Sequence, residues 1–345
     1  MRALFVTNRY PPDGFGGYER VAASAVGWLR GRGHEVRVLT TAGAPSSAGV
    51  ARELEWWWRD GAWVRPGWRE RRRIVRRDVA AVREHADGCD VVAWWAMGGL
   101  PLAVIGAVEA RSVGVVHDGW LVYGPEVDAG PRGFDPGRVA RWLVNSRAVL
   151  ERAREAWPGL EAEVLSPGVD AEAFPARPAR LWRWRLLCAG RIAPEKGVDV
   201  ALRALDELPD ASLRLAGRGE PVPAHPRVEV RESAPEEMGE VYAAADCVLF
   251  PVVWPEPWGL VPLEAMSVGR PVVATGTGGS AEYLRDGVNA LLVPPGDAEA
   301  LAAAVRRLAE DPALRERLVT GGRETAARHS QRAFLERLEA VLFRP

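Results

Sequence analysis

The stretch that most constrains this chain is residues 250–275, FPVVWPEPWGLVPLEAMSVGRPVVAT. An apolar run ends at Phe250, a Pro/Trp segment carries Glu256, an apolar segment opening at Gly259 carries Glu264, and a β-branched run follows at 271–275. The pattern predicts strand, irregular loop, helix and strand, the alternation of an α/β sheet. Leu263, Ala265, Met266 and Val268 surround Glu264, so this helix is expected to bury most of its surface, and the carboxylate with it. A buried acid needs a partner. A vicinal diol suits it, because a carboxylate accepts two hydroxyl protons side by side. Backbone N–H groups at Gly259 and Leu260 would point at whatever anion precedes the helix. A diol, an anion and a second acid, Glu256, in one crevice describe a bound nucleotide sugar. Two carboxylates in an arginine-rich chain are also ordinary partners for nearby Arg side chains, and the pair alone leaves that alternative open.

The length, 345 residues, accommodates two domains with full cores, given a usual domain size of roughly 100 to 150 residues. A net charge of −1 argues against nucleic acid as a partner. No apolar run reaches the roughly 18 residues of a membrane span, and the apolar start MRALFVTNRY is too short for a signal sequence, so a cytoplasmic enzyme is expected. Cys89, Cys188 and Cys247 are far apart and each adjoins an apolar run, which reads as reduced core residues with neither metal nor disulfide. Of the 45 basic residues one is lysine, Lys196, and the other 44 are arginine. A lysine kept in such a chain points to a task for a compact ammonium ion.

Taken in order, residues 3–7 form a strand, a loop holds Gly14, Gly16 and Gly17, and a helix covers about 18–30, the first unit of a Rossmann-like domain. The loop lacks G-x-G-x-x-G spacing, and the next strand, 35–39, ends in Thr40 and Thr41 where a dinucleotide ribose needs an acid. Residues 54–77 hold five tryptophans among many arginines. They read as a strand through Trp58, a Pro/Gly loop and a basic helix from near Trp68. Either the tryptophans lie in the core beneath a solvated arginine face, or Trp and Arg rest on anionic lipid, bringing the protein to a lipid-linked acceptor at the inner face of a membrane. Strands at 90–95 and 112–116 follow, the second delivering His117 at its carboxyl end, where open α/β sheets place ligands. After a linker at 174–185, a strand runs to Gly190 and a helix starts at Val198. Arg191 and Lys196 lie between them and can converge on one point, where fixed cations would stabilise the charge developing on a departing diphosphate without a metal. No D-x-D acid pair occurs anywhere in the chain. Gly278 and Gly279 are expected to approach the ligand, and residues 297–345 read as helices.

The acid pair with Pro-Trp-Gly-Leu between its members, the G-R-x4-K spacing of GRIAPEKG from Gly190, WLVNSR ending at Arg147 and VLSPGVD ending at Asp170 together resemble the family-four retaining glycosyltransferases of the GT-B fold. The resemblance runs through nearly the whole chain. It implies two Rossmann-like doubly wound domains, 1–170 on the acceptor side and 171–325 on the donor side, facing across a cleft, with a final helix over 326–345 packed back on the first domain. It also implies transfer of a sugar from a nucleotide diphosphate sugar to a sugar, lipid-linked or small-molecule acceptor, with no cofactor and no metal. Glu256 and His117 would contact the donor sugar, Arg191 and Lys196 the diphosphate, and Glu264 the ribose. Gly259, Leu260, Gly190 and the backbone of Gly16 and Gly17 would complete the donor site. Two alternatives are an epimerase of the same fold and a non-catalytic nucleotide-sugar-binding protein. The chain departs from the commoner pattern at Trp258 in place of Phe, at Asn289-Ala290 in place of Asn-Gly, and in the Trp/Arg stretch.

Overall fold

The computed structural model describes residues 1–13, 16–59, 62–127 and 134–344. The chain forms two units, Met1–Leu165 with the segment from Leu335 onward, and Ser166–Phe334. In the first unit the elements are β1 (Arg2–Thr7), α1 (Gly17–Gly31), β2 (Glu35–Thr41), β3 (Val50–Leu54), β4 (Trp58–Arg59), β5 (Ala62–Trp63) and α2 (Trp68–Ala86). They continue through β6 (Val91–Trp95), β7 (Arg111–Val116), α3 (Trp120–Val127), β8 (Arg141–Val144), α4 (Arg147–Ala156) and β9 (Ala162–Val164). Seven strands make one sheet in the order β3-β2-β1-β6-β7-β8-β9, every neighbouring pair parallel. Successive strand residues point to opposite faces, yet Trp94 and Trp95 are both fully buried. Trp94 joins the core beneath α2 and α4, whereas Trp95 stacks on Phe5. Both faces of the sheet are therefore covered, as parallel sheets require.

The second unit repeats this plan with β10 (Arg185–Ala189), α5 (Val198–Asp206), β11 (Ser212–Ala216), β12 (Val228–Arg231), α6 (Met238–Ala244), β13 (Cys247–Phe250), α7 (Leu260–Val268), β14 (Val272–Ala274) and β15 (Leu291–Leu292). The sheet order β12-β11-β10-β13-β14-β15 is the 3-2-1-4-5-6 order of a doubly wound nucleotide-binding sheet. Cys247 and Leu249 face one core with Leu186 and Cys188, while Val248 and Phe250 face the other with Leu187. Of the three cysteines, Cys188 and Cys247 are buried and Cys89 is half-buried, and all are free thiols.

Three helices follow, α8 (Ala298–Glu310), α9 (Pro312–Arg328) and α10 (Gln331–Phe343). The Asp297 and Asp311 carboxylates cap α8 and α9. From Leu335 on, α10 belongs to the first unit, where Glu339 accepts from Trp28 Nε1 at 2.9 Å and Arg111 donates to the carbonyls of Val341 and Leu342. Residues 166–170 belong to the second unit: Val169 exchanges backbone hydrogen bonds with His329 and Gln331, and Trp258 Nε1 donates to the Pro167 carbonyl.

The Trp/Arg stretch departs from its expected form. The sheet strand stops at Leu54 instead of running through Trp58, because the Glu55 amide donates to the Asp78 carboxylate of α2 and the Trp57 amide to the Gly99 carbonyl. Trp58 stands instead in a separate two-stranded antiparallel ribbon, β4 with β5. Trp57 is buried, as a core reading requires, whereas Trp68 is 66% exposed with the Arg69 guanidinium over its ring. Gly14, Asp60 and Gly61 lie outside the described residues.

Candidate active site

The strand order of the second unit reverses between β10 and β13, so the segments leaving these strands diverge around one crevice. After β10 come Gly190, Arg191 and a tight turn, Pro194–Lys196, closed by Gly197 at φ 68°. A Cβ on Gly197 would lie 1.9 Å from the Pro251 carbonyl oxygen, so glycine is what lets this turn lie against the exit of β13. That approach sets Lys196 Nζ 2.7 Å from Glu256 Oε2. Trp254 completes the group: its Nε1 donates to the same oxygen at 3.1 Å, and its ring centroid lies 5.4 Å from the ammonium.

Gly278 and Gly279 buttress this group. The Gly279 amide donates to the Glu256 carbonyl at 2.7 Å, and a Cβ on Gly278, at φ 58°, would come within 2.4 Å of that carbonyl. Their close approach is to the Glu256 backbone. Arg191 is largely exposed and pairs with Glu195 at 2.5 Å. Arg191 and Lys196 line one small cavity of about 20 Å³ with Gly190, Phe250 and Pro251, but each is held by its own acid.

Glu264 is 3% exposed on a helix whose every residue from Pro262 to Val268 is buried. It accepts from the Tyr242 hydroxyl at 2.6 Å. At the start of the helix Gly259 has φ 87°, and no side chain caps the first-turn amides from Leu260 on. A Cβ on Gly259 would sit 2.9 Å from Phe250 Cζ, and the Gly259 carbonyl accepts from the Tyr283 hydroxyl at 2.5 Å. Burial first, then the charges of Glu256 and Glu264, push the Tyr283 hydroxyl well above its ordinary range. Both acids thus act on one buried phenol.

In the first unit, Gly16 is the N-cap of α1 and Gly17 its first residue, with open space where a Cβ on Gly17 would stand. Tyr18 follows and donates its hydroxyl to the His117 carbonyl, its ring 5.3 Å from the imidazole. The glycine loop and His117 are therefore neighbours within this unit. Asn145 Nδ2 donates to the same carbonyl at 2.7 Å, and Trp95 packs 5.1 Å from the ring. His117 Nε2 is buried without a hydrogen bond among the described residues, and burial lowers the imidazole pKa to about 3. Asp118 beside it accepts from Trp120 N and the Tyr123 hydroxyl, and burial raises its pKa.

Of the second-unit residues expected at the site, Lys196 is bonded to Glu256, Gly190 and Arg191 line the same small cavity as Lys196, and Glu264 lies on the helix that follows Glu256, bonded to Tyr242. Trp254, Tyr242 and Tyr283 also touch these residues and lie outside the motifs that point to the site. Trp254 left a signal, an aromatic two residues before an acid in a loop between a strand and a helix. The tyrosines left none, because their partners Glu264 and Gly259 lie 22 and 24 residues away in the chain. Asn289 is a structural residue, donating to the Tyr283 carbonyl and to Thr325 and accepting from the Arg285 amide. Among the described residues no cluster of three or more His, Cys, Asp or Glu side chains is placed to hold a metal ion.

Two family models match. One described as Glycosyltransferase Family 4 covers residues 15–173, and one described as Glycosyl transferases group 1 covers 183–311. The glycogen synthase of Mycobacterium tuberculosis is 29% identical over 94% of this chain and 90% of its own length. A GDP-mannose-dependent phosphatidylinositol monomannoside mannosyltransferase of Mycolicibacterium smegmatis is also 29% identical, over 94% of this chain and 93% of its own. Among solved structures, HepE of Anabaena in complex with UDP and glucose superposes with a TM-score of 0.76 at 18% identity over 99% of both chains. Sucrose-phosphate synthase of Thermosynechococcus elongatus gives 0.75 at 19% identity, over 99% of this chain and 98% of that one.

Proposed function

The chain belongs to the family-four glycosyltransferases of the GT-B fold, and from that premise we propose that it moves a sugar from a nucleotide diphosphate sugar to an acceptor hydroxyl with retention at the anomeric carbon and without a metal. The observation that carries this reading is the contact of Lys196 with Glu256 where the strand order reverses, with buried Glu264 on the next helix. In this reading Lys196 and Arg191 face the diphosphate, whose negative charge grows as the glycosidic bond breaks. The uncapped amides at Gly259 and Leu260 and the backbone at Gly190 add to that anion site. Glu264 accepts from the ribose diol, and Glu256 and His117 position the sugar. A depressed His117 pKa keeps the imidazole neutral at working pH, which suits a hydrogen bond to a hydroxyl and excludes a resting imidazolium. The leaving diphosphate would take the acceptor proton, so the site needs no separate base. Gly16 and Gly17 would let donor and acceptor come close to backbone.

Support for a nucleotide-sugar donor comes from the names of the relatives above, one of them GDP-mannose-dependent, and from the UDP in the HepE structure. The acceptor we propose is a sugar, lipid-linked or other small hydroxyl compound. No helix among the described residues is long and apolar enough to cross a membrane. We place the enzyme in the cytoplasm, with exposed Trp68 and the arginines of α2 meeting anionic lipid at the membrane face. If the protein stays in the supernatant with acidic liposomes at low salt while an arginine-rich control pellets, that placement fails.

The functional reading is tested by thermal shift across a panel of UDP-, GDP- and ADP-sugars, since a ligand bound to the folded state raises the melting point with its affinity and concentration. The expected hit then enters a transfer assay with and without chelator. Unchanged melting across the panel, sugar release only as an epimer, or loss of activity on chelation each contradicts a part of the proposal.

A further inference from the structure

Glu256 offers two oxygens, and the site treats them unequally. Oε2 accepts from Lys196 Nζ at 2.7 Å and from Trp254 Nε1 at 3.1 Å, while Oε1 has no hydrogen bond among the described residues. The ammonium has three interchangeable N–H groups on a flexible stem, so alone it cannot choose between the oxygens. The indole has one N–H in a rigid plane. Its backbone is held on both sides of Pro255, by Thr277 Oγ1 on the Trp254 carbonyl at 2.7 Å and by the Gly279 amide on the Glu256 carbonyl at 2.7 Å. A Cβ on Gly278 would meet Glu256 N at 2.8 Å, so the glycine loop leaves this segment no room to shift toward it. The indole face at the same time lies 5.4 Å from the ammonium.

We infer that Trp254 is a positioning residue for the transfer: its N–H holds Glu256 Oε2 so that Oε1 faces a hydroxyl of the donor sugar, and its ring holds the Lys196 ammonium toward the diphosphate. This rests on the donor reading above. The two tasks use different parts of one side chain, so they separate by substitution. Trp254→Phe keeps a ring and loses the N–H, whereas Trp254→Gln keeps an N–H and loses the ring.

The experiment is calorimetry on the full chain with UDP, UDP-glucose, GDP and GDP-mannose, reading for each pair the ratio of nucleotide-sugar affinity to bare-nucleotide affinity. For Trp254→Phe the ratio is expected to fall about tenfold to a hundredfold, the range for loss of a hydrogen bond to a charged group, with bare-nucleotide affinity unchanged. For Trp254→Gln the ratio recovers toward wild type while bare-nucleotide affinity falls a few-fold, in the range of about one cation–π contact. A wild-type ratio in Trp254→Phe, or the same loss of both affinities in the two variants as from a general loosening, overturns the inference. Should Trp254→Phe fail to fold by its melting curve, Trp254→His, which keeps ring and N–H, is expected near the wild-type ratio, and a tenfold loss there overturns it too. A wild-type protein that binds none of the four ligands overturns the donor reading itself, and this inference with it.

Discussion

Both sheets deliver a basic side chain beyond the carboxyl ends of their strands, His117 after β7 and Lys196 in the turn after β10, but their surroundings handle it differently. Around His117 stand Tyr18, Trp95 and Asn145, none of them charged, and burial alone takes the imidazole pKa to about 3. Around Lys196 stand a carboxylate at 2.7 Å and an indole face, and a quarter of the side chain remains exposed. The first unit thus offers a neutral hydrogen-bonding edge and the second a charged one. A buried cation persists only where an acid and some water stay beside it. In the proposed reaction the charged edge serves the diphosphate and the neutral edge the sugar.

The sharpest way to break this contrast is to remove the charge from the second edge. Lys196→Ala is expected to cut turnover by about a hundredfold to a thousandfold, the usual cost of deleting one fixed donor from a site of developing negative charge. The variant also strands Glu256, which is 8% exposed, so its melting point should drop. Lys196→Ala combined with Glu256→Gln should regain much of that melting point but none of the turnover. Turnover near wild type in the single variant would sink the diphosphate assignment.

A milder test touches the buried acid. Glu264→Gln replaces one of two acceptor oxygens by an amide that cannot accept, and donor affinity by calorimetry should fall about tenfold or somewhat more. Tyr242 still has Oε1-like carbonyl oxygen to bond in this variant, so the fold should hold. Unchanged donor affinity would detach Glu264 from the ribose.

How much of this could be read from the sequence depends on how far each determinant reaches. The strands at 247–250 and 272–274 and the helix carrying Glu264 follow from local apolar runs and the Pro and Gly residues that bound them, and appear where these put them. Lys196 stood out because it is the sole lysine, and Glu256 because a motif fixes its distance from Glu264. What stayed hidden depends on partners distant in the chain. The strand at Leu54 ends because Asp78, 23 residues on, takes the Glu55 amide. The role of Gly278 and Gly279 as a buttress depends on where the Glu256 backbone runs. The neutrality of His117 depends on burial by Tyr18 and Trp95, which no local pattern records.

The neutral edge makes its own prediction, on stability rather than turnover. His117 has its pKa lowered to about 3, so between pH 3 and 6.5 the unfolded chain binds the proton and the folded one does not, and stability falls as pH falls through that range. Asp78 works in the opposite sense. It is fully buried, with Oδ1 accepting from the Glu55 amide and Oδ2 unpartnered among the described residues, and burial raises its pKa to about 7. The folded chain then holds the proton that the unfolded one releases above about 4, and stability falls as pH rises. Glu55, held at about 2 by Arg73 and Arg77, is ionised in the folded chain and, above about pH 5, nearly so in the unfolded one, so it adds little slope there. Between pH 5 and 6.5 the two buried groups contribute changes in stability of about 1.5 to 2 kcal/mol each, of opposite sign, which nearly offset one another. Removing either should therefore uncover the other. Urea unfolding of His117→Gln should show stability declining by about that amount from pH 5 to 6.5 relative to wild type, and Asp78→Asn should show it climbing by a similar amount. Curves for both variants parallel to wild type across this window would mean that neither side chain is held neutral by burial, and the contrast between the two sheet edges would lose its physical basis.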